Sequence, residues 1–247
     1  MKPVGWFPLA VLLVLSWGLV FTSCGTDPGV VTISDTRITE NPKNRLSACV
    51  TFTTDVEATS RILVEGPDGH SWVVGPAGGP AIEHELWVLG MYDESSYTFT
   101  ITAKGVDGGK GRSEPQPFET RALPFFFPPM EITVSEPDLM QPGWTLFNVY
   151  RYIPVRDFLW GMLIAIDETG RVVWYYKAPL MIISHGLLAN GNIVYGFLAY
   201  GYIEIDWTGR YIRTYPCFHL PSKSLRLLFE SIMDPLEVET TSISAVC

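Results

Sequence analysis

One pattern is written twice in this chain, and it narrows the folds open to it. Residues 161–174 read GMLIAIDETGRVVW, and residues 201–213 read GYIEIDWTGRYIR. Each copy is an alternating apolar run ending in Ile-Asp, then one residue and Thr-Gly-Arg, then a second apolar run. Asp167 and Asp206 stand 39 residues apart, close to the length of a propeller blade of about 40–50 residues. Between them LLANGNIVYGF carries a third hairpin signal, with Asn190-Gly191-Asn192 at its turn. Asn-Gly accepts the positive φ angles of a type I′ turn. Short strands repeating at this period imply a β-propeller, in which each blade stacks on its neighbours. The expected reading of residues 141–216 is therefore the first blades of a larger ring.

Composition agrees with β-structure and removes several function classes. Hydrophobic residues make up 47% of the chain, aromatics 13% and charged residues 17%, which excludes disorder and favours an aromatic-rich β fold. Seventeen Lys and Arg face 26 Asp and Glu for a net charge of −9. With no basic run in the sequence, a nucleic-acid partner is not expected. No GxSxG elbow, HExxH helix or phosphate-binding glycine loop is present, and no Cys or His spacing suggests a metal site.

The N-terminus, MKPVGWFPLAVLLVLSWGLVFTSC, places one Lys before an apolar stretch over residues 4–21. This is the pattern of a secretion signal or, uncleaved, of an anchor. Phe21-Thr22-Ser23-Cys24 resembles a bacterial lipobox, which implies cleavage and lipidation of Cys24. Residues 1–24 are thus expected to be a lipoprotein signal. The mature chain is expected outside the cytoplasm, in the periplasm or on the cell surface, with the membrane as a partner through its N-terminus. Cys49, Cys217 and Cys247 then cannot all pair within one chain. Cys49, within SACVTFTT, is expected to pack as a small buried hydrophobe.

Residues 30–123 read as an all-β sandwich. Alternating runs such as CVTFTTD, SRILVEG, EHELWVLG and SYTFTITAKG are separated by turns at Gly66-Pro67-Asp68-Gly69 and Asp107-Gly108-Gly109. HELWVLGMYDESSYTFTITAKG resembles a fibronectin type III domain, in which a tyrosine, here Tyr97, pins a corner. The proline-rich stretch EPQPFETRALPFFFPP marks the boundary, with residues 124–140 as linker and lead-in. Phe125-Phe126-Phe127 is expected to dock on a neighbouring domain. Residues 217–247 break the blade pattern, with a short amphipathic helix expected over residues 223–233. This tail reads as non-native sequence, from a truncation or a shifted frame.

GWTLFNVYR, GMLIAIDETGRVVWYYK, ISHGLLANGNIVYG and YIEIDWTGRYIRTY together resemble the arylsulfate sulfotransferases, secreted bacterial enzymes built from an N-terminal sandwich and a six-bladed propeller. The matching turn is His185-Gly186-Leu187-Leu188-Ala189-Asn190-Gly191-Asn192, with Ala189 where the family has Pro and Gly186 where an Asp is common. The resemblance implies sulfuryl transfer from an aryl sulfate to a phenol through a sulfohistidine, with no cofactor. Neutral imidazole suits that chemistry as both nucleophile and leaving group. It assigns His185 to the substrate side and the nucleophile to a later blade, so no catalytic residue is expected in this chain and the chain alone is expected to be inactive. His219 falls out of register, and His70 and His84 belong to the sandwich. Asp167, Asp206, Arg171 and Arg210 recur in equivalent turns, which argues for structure. Trp174, Tyr175 and Tyr176 are expected to pack between blades. The alternative is a cell-surface lipoprotein serving binding or adhesion.

Overall fold

The computed structural model describes residues 29–134, 136, 142–153, 158–197 and 201–216. Cys24, His219, Cys217, Cys247 and the expected helix over residues 223–233 lie outside these residues. Among the described residues the architecture is all-β, with fourteen strands and no α-helix. It is a fibronectin type III/immunoglobulin-like sandwich followed by an incomplete propeller.

The sandwich comprises β1 (Ile33–Asn41), β2 (Asn44–Glu65), β3 (Ser71–Val74), β4 (Ala81–Val88), β5 (Ser96–Gly105), β6 (Lys110–Arg112) and β7 (Gln116–Glu119). Its two layers share one strand. The first half of β2 pairs with β1 and β4, the second half with β3 and β5, and β5 then pairs with β6 and β7. The strand folds over between them at Asp55, Val56 and Glu57, all exposed. Side chains alternate about this corner. Val50 and Phe52 from one half face Ile62 and Val64 from the other, and Leu86, Val88, Phe99 and Ile101 complete the core. Tyr97 is buried, and its hydroxyl accepts the Tyr92 N–H at 2.7 Å, the corner pin that the fibronectin resemblance implied.

Two local expectations need correction. Cys49 is half-buried on the outward side of β2, opposite Trp87 and Thr39. Ala48 and Val50 hold the inward positions, and strand alternation leaves Cys49 the other face. Burial and, secondarily, Glu85 push its thiol pKa up. The proline-rich boundary also begins later than its composition suggests. Gln116–Glu119 forms β7, in which Pro117 pairs with Thr98 and sits on an edge strand that tolerates a missing N–H.

The second part contains two antiparallel sheets. One has the order β10-β9-β8, from β8 (Thr145–Ile153), β9 (Phe158–Ile166) and β10 (Val172–Ala178). The other is a four-stranded meander of β11 (Ile182–Leu187), β12 (Ile193–Phe197), β13 (Gly201–Ile205) and β14 (Tyr211–Pro216), the layout of a propeller blade. Gly161 allows β9 to approach β11, because a Cβ there would lie 2.5 Å from the Ile182 nitrogen.

The three hairpin turns whose residues are described in these sheets are one device. Gly170 donates to Asp167 O, Gly209 to Asp206 O and Gly191 to Leu188 O, each at 2.9 Å. Each turn ends on a glycine of positive φ, at 79°, 79° and 85° respectively. Asn190 does not take positive φ, so the Asn-Gly pair does not make a type I′ turn. A longer loop, with the left-handed residue at its end, places only the glycine there.

Sandwich and sheets share their cores. Tyr92 packs with Trp174, Tyr176 and Tyr195. Leu46 packs with Met162, Ile164 and Tyr175, and Phe126 and Phe127 close the same cluster. Phe125 takes no part and is fully exposed.

Candidate functional site

His185 lies on β11 with its ring turned toward β8. Nδ1 is 2.9 Å from Asn148 Oδ1, and Nε2 is 3.1 Å from Leu146 O. Both partner atoms are oxygens that only accept, so each ring nitrogen faces an acceptor, and whichever nitrogen carries a proton donates it. Asn148 Nδ2 donates to Ile182 O at 3.0 Å, which fixes the amide and turns its oxygen toward the histidine. The group therefore stitches the two sheets: β8 holds Asn148 and Leu146, while β11 holds Ile182 and His185. A ring whose nitrogens both end on protein atoms aims no lone pair at a substrate. The other described histidines are also engaged. His84 sits between Thr54 Oγ1 at 3.0 Å and Ser60 Oγ at 2.9 Å and stacks on Phe52, and burial pushes its pKa down. His70 donates through Nε2 to Gly90 O at 3.1 Å.

The two Asp-x-Thr-Gly-Arg turns meet the sandwich. In both, Oδ1 accepts three bonds: for Asp167 from Thr169 N, Thr169 Oγ1 and Arg171 N, and for Asp206 from Thr208 N, Thr208 Oγ1 and Arg210 N. The second oxygens differ. Asp167 Oδ2 accepts the Tyr92 hydroxyl from the sandwich at 2.7 Å, and Asp206 Oδ2 accepts Arg210 Nε at 3.0 Å. Arg171, freed from its own turn, lies 3.6 Å over the Tyr92 ring and donates to Asp68 at 3.4 Å. Burial works to raise the Asp167 pKa, but the bonds from Tyr92, Thr169 and the backbone outweigh it and hold it below the ordinary value. Burial and the Asp167 contact push the Tyr92 hydroxyl far up. The second turn is met by the β1–β2 loop, where Asn41 Nδ2 donates to Thr208 O at 2.9 Å and Lys43 Nζ to Gly209 O at 3.2 Å.

A third polar group lies inside the meander. Glu204 is buried and accepts Asn192 Nδ2 at 2.6 Å, Tyr215 OH at 2.6 Å and Asn190 Nδ2 at 3.0 Å, with Arg213 Nε at 3.1 Å. The bonds from Asn192, Tyr215 and Asn190 outweigh desolvation, and Arg213 adds to them, so its pKa is lowered to about 2. The turn asparagines thus serve a carboxylate as well as a bend. Trp174, Tyr175 and Tyr176 are all buried. Trp174 donates to Trp207 O at 2.7 Å, while Tyr175 turns the other way and accepts Arg45 N–H at 3.1 Å.

Asn148, Tyr92 and Glu204 were not singled out by sequence. A signal existed for Glu204, a carboxylate between two isoleucines in a strand facing an Asn-Gly-Asn turn. None marked Tyr92 or Asn148, whose partners are 75 and 37 residues away. Among the described residues no group of His, Cys, Asp and Glu is disposed to hold a metal ion. No protein-family model and no curated protein matches the chain.

Proposed function

We propose that this chain is the N-terminal part of an extracytoplasmic, arylsulfotransferase-like propeller protein. Its sandwich serves as a fixed collar for the first blades, and the chain itself transfers no sulfuryl group. The observation that carries the second half is the closure of His185, both of whose ring nitrogens end on β8. The family half rests on the GWTLFNVYR, IDETGR, HGLLANGN and IDWTGR motifs and on the order of a sandwich before blades. In this reading Cys24 or an uncleaved signal holds the chain at the membrane. Aryl sulfates and phenols are the substrates of the intact protein, and a histidine on a later blade accepts the sulfuryl group.

Two experiments test the reading. Purified chain is incubated with an aryl sulfate that releases a coloured phenolate, together with a phenol acceptor; release at the buffer rate is expected, and turnover overturns the non-catalytic assignment. The coding DNA is then read in all three frames through and past codon 216. Further blades with Asn-Gly-Asn turns and a late histidine are expected, and their absence from every frame overturns the sulfotransferase assignment.

A further inference from the structure

The outer face of the sandwich concentrates positive charge in an otherwise acidic chain. Paired residues on antiparallel neighbours share a face. The registers Arg61↔Thr102↔Arg112 and Thr59↔Lys104↔Lys110 therefore lay two rows of three side chains across β2, β5 and β6. All four cations are exposed, and none forms an ion pair with a described residue. With Pro76, Ala103 and Gly111 they line a shallow depression of about 540 Å³ with no acidic residue among the described ones. Asp55, Glu57 and Asp107 occupy the adjoining corner, where Asp55 accepts the Thr32 N–H and Asp107 the Gly109 N–H. With a screening length of about 8 Å at physiological salt, a local patch acts despite the net charge of −9.

The position of this face suggests its occupant. The described chain enters the fold against β6, where Val30 bridges Lys110 and Val31 N donates to Lys110 O at 3.2 Å. A Cβ at Gly109 or Gly111 would collide with the backbone of Gly29 or Val31, so the approach is close. Val30 is the sixth residue after Cys24, a distance that chain geometry limits to roughly 20 Å. The blade sheets are joined at the other end of the sandwich, through Asn41, Lys43 and Tyr92, and none of their described residues lines the depression.

We propose that Arg61, Lys104, Lys110 and Arg112 form a docking surface for the anionic phosphate headgroups of the bilayer to which residues 4–24 lead. The sandwich then lies on the membrane through this face, and the blades are held to one side. The anchored reading supplies the proximity, while the cation lattice supplies the binding chemistry.

The test titrates the full-length purified chain with two kinds of vesicle, phosphatidylcholine alone and phosphatidylcholine with one third phosphatidylglycerol. At low salt the anionic vesicles are expected to bind at least about tenfold more tightly, and the preference should shrink as salt rises. The combined variant Arg61→Gln, Lys104→Gln, Lys110→Gln and Arg112→Gln should lose the preference. The Arg61→Lys, Arg112→Lys variant should keep it, which separates charge from folding. Equal binding of both vesicles by the wild-type chain overturns the proposal, as does an unchanged preference in the glutamine variant. Stronger retention of a soluble sulfated polysaccharide than of anionic vesicles overturns the bilayer as occupant. Quartet-dependent binding to anionic vesicles without any binding to neutral ones supports the surface and sinks the anchored reading.

Discussion

Asp167 and Asp206 begin as the same residue in the same turn, and the second carboxylate oxygen separates them. Asp167 spends it on Tyr92 across the joint, whereas Asp206 spends it on an exposed arginine of its own turn. Asp167→Ala should therefore lower unfolding free energy by about 2–3 kcal/mol, and Asp206→Ala by about 1 kcal/mol, in urea denaturation. Equal losses would mean that the Tyr92 bond carries nothing. Glu204 gives a pH prediction. Its pKa falls from 4.5 to about 2 on folding, so the stability it contributes is complete above the unfolded value and is lost as pH falls from about 4.5 toward 2. Asp167, also depressed, acts in the same direction. Glu204→Gln should be less stable near neutral pH and should flatten the decline of the thermal midpoint below pH 4.5; an acid limb parallel to that of the wild type would contradict this. The turn function of these aspartates was legible because Asp-x-Thr-Gly is a local motif whose partners lie within four residues. The difference between them was not, since Tyr92 is 75 residues from Asp167.

Among elements, loops of the sandwich grip the turns of the sheets. The Tyr92 loop meets the first Asp turn, and the β1–β2 loop meets the second. Tryptophans extend the joint inward. Trp144 lies against Gly90, where a Cβ would come within 2.7 Å of its ring, then packs on Trp207, which packs on Trp174. Tyr92→Phe keeps the ring beneath Arg171 and removes one bond to a buried carboxylate, so a loss of about 1–2 kcal/mol is expected. Arg210→Ala, at an exposed ion pair within its own turn, should change stability by less than about 0.5 kcal/mol. Reversal of that order in denaturant midpoints would mean that the joint is not where the stability lies. Strand content was readable from alternation and turn residues, and so was the docking of Phe126 and Phe127. The outward face of Cys49 was also open to reading, since Ala48, Val50 and Phe52 alternate with Cys49, Thr51 and Thr53. Two features depend on pairing that periodicity does not supply: that of β7 through Pro117, and the longer loop in place of a type I′ turn.

At the scale of the whole molecule, both ring nitrogens of His185 end on β8. Sequence context placed it on a substrate, and nothing local could reveal that β8 supplies an acceptor to each ring nitrogen. The cation lattice was equally hidden, because its four members come from three strands and form no run in sequence. Polar pins join the sandwich to the first sheet, through Tyr92 and Asp167, and that sheet to the meander, through Asn148 and His185. The most direct test is a double-mutant cycle across the seam, measuring unfolding free energies of the wild-type chain, His185→Ala, Asn148→Ala and the pair. A coupling of about 1 kcal/mol is expected, within the range for residues in direct contact. Additive losses with no coupling would mean that His185 is not held by β8, which would return it to the substrate role its motif first suggested.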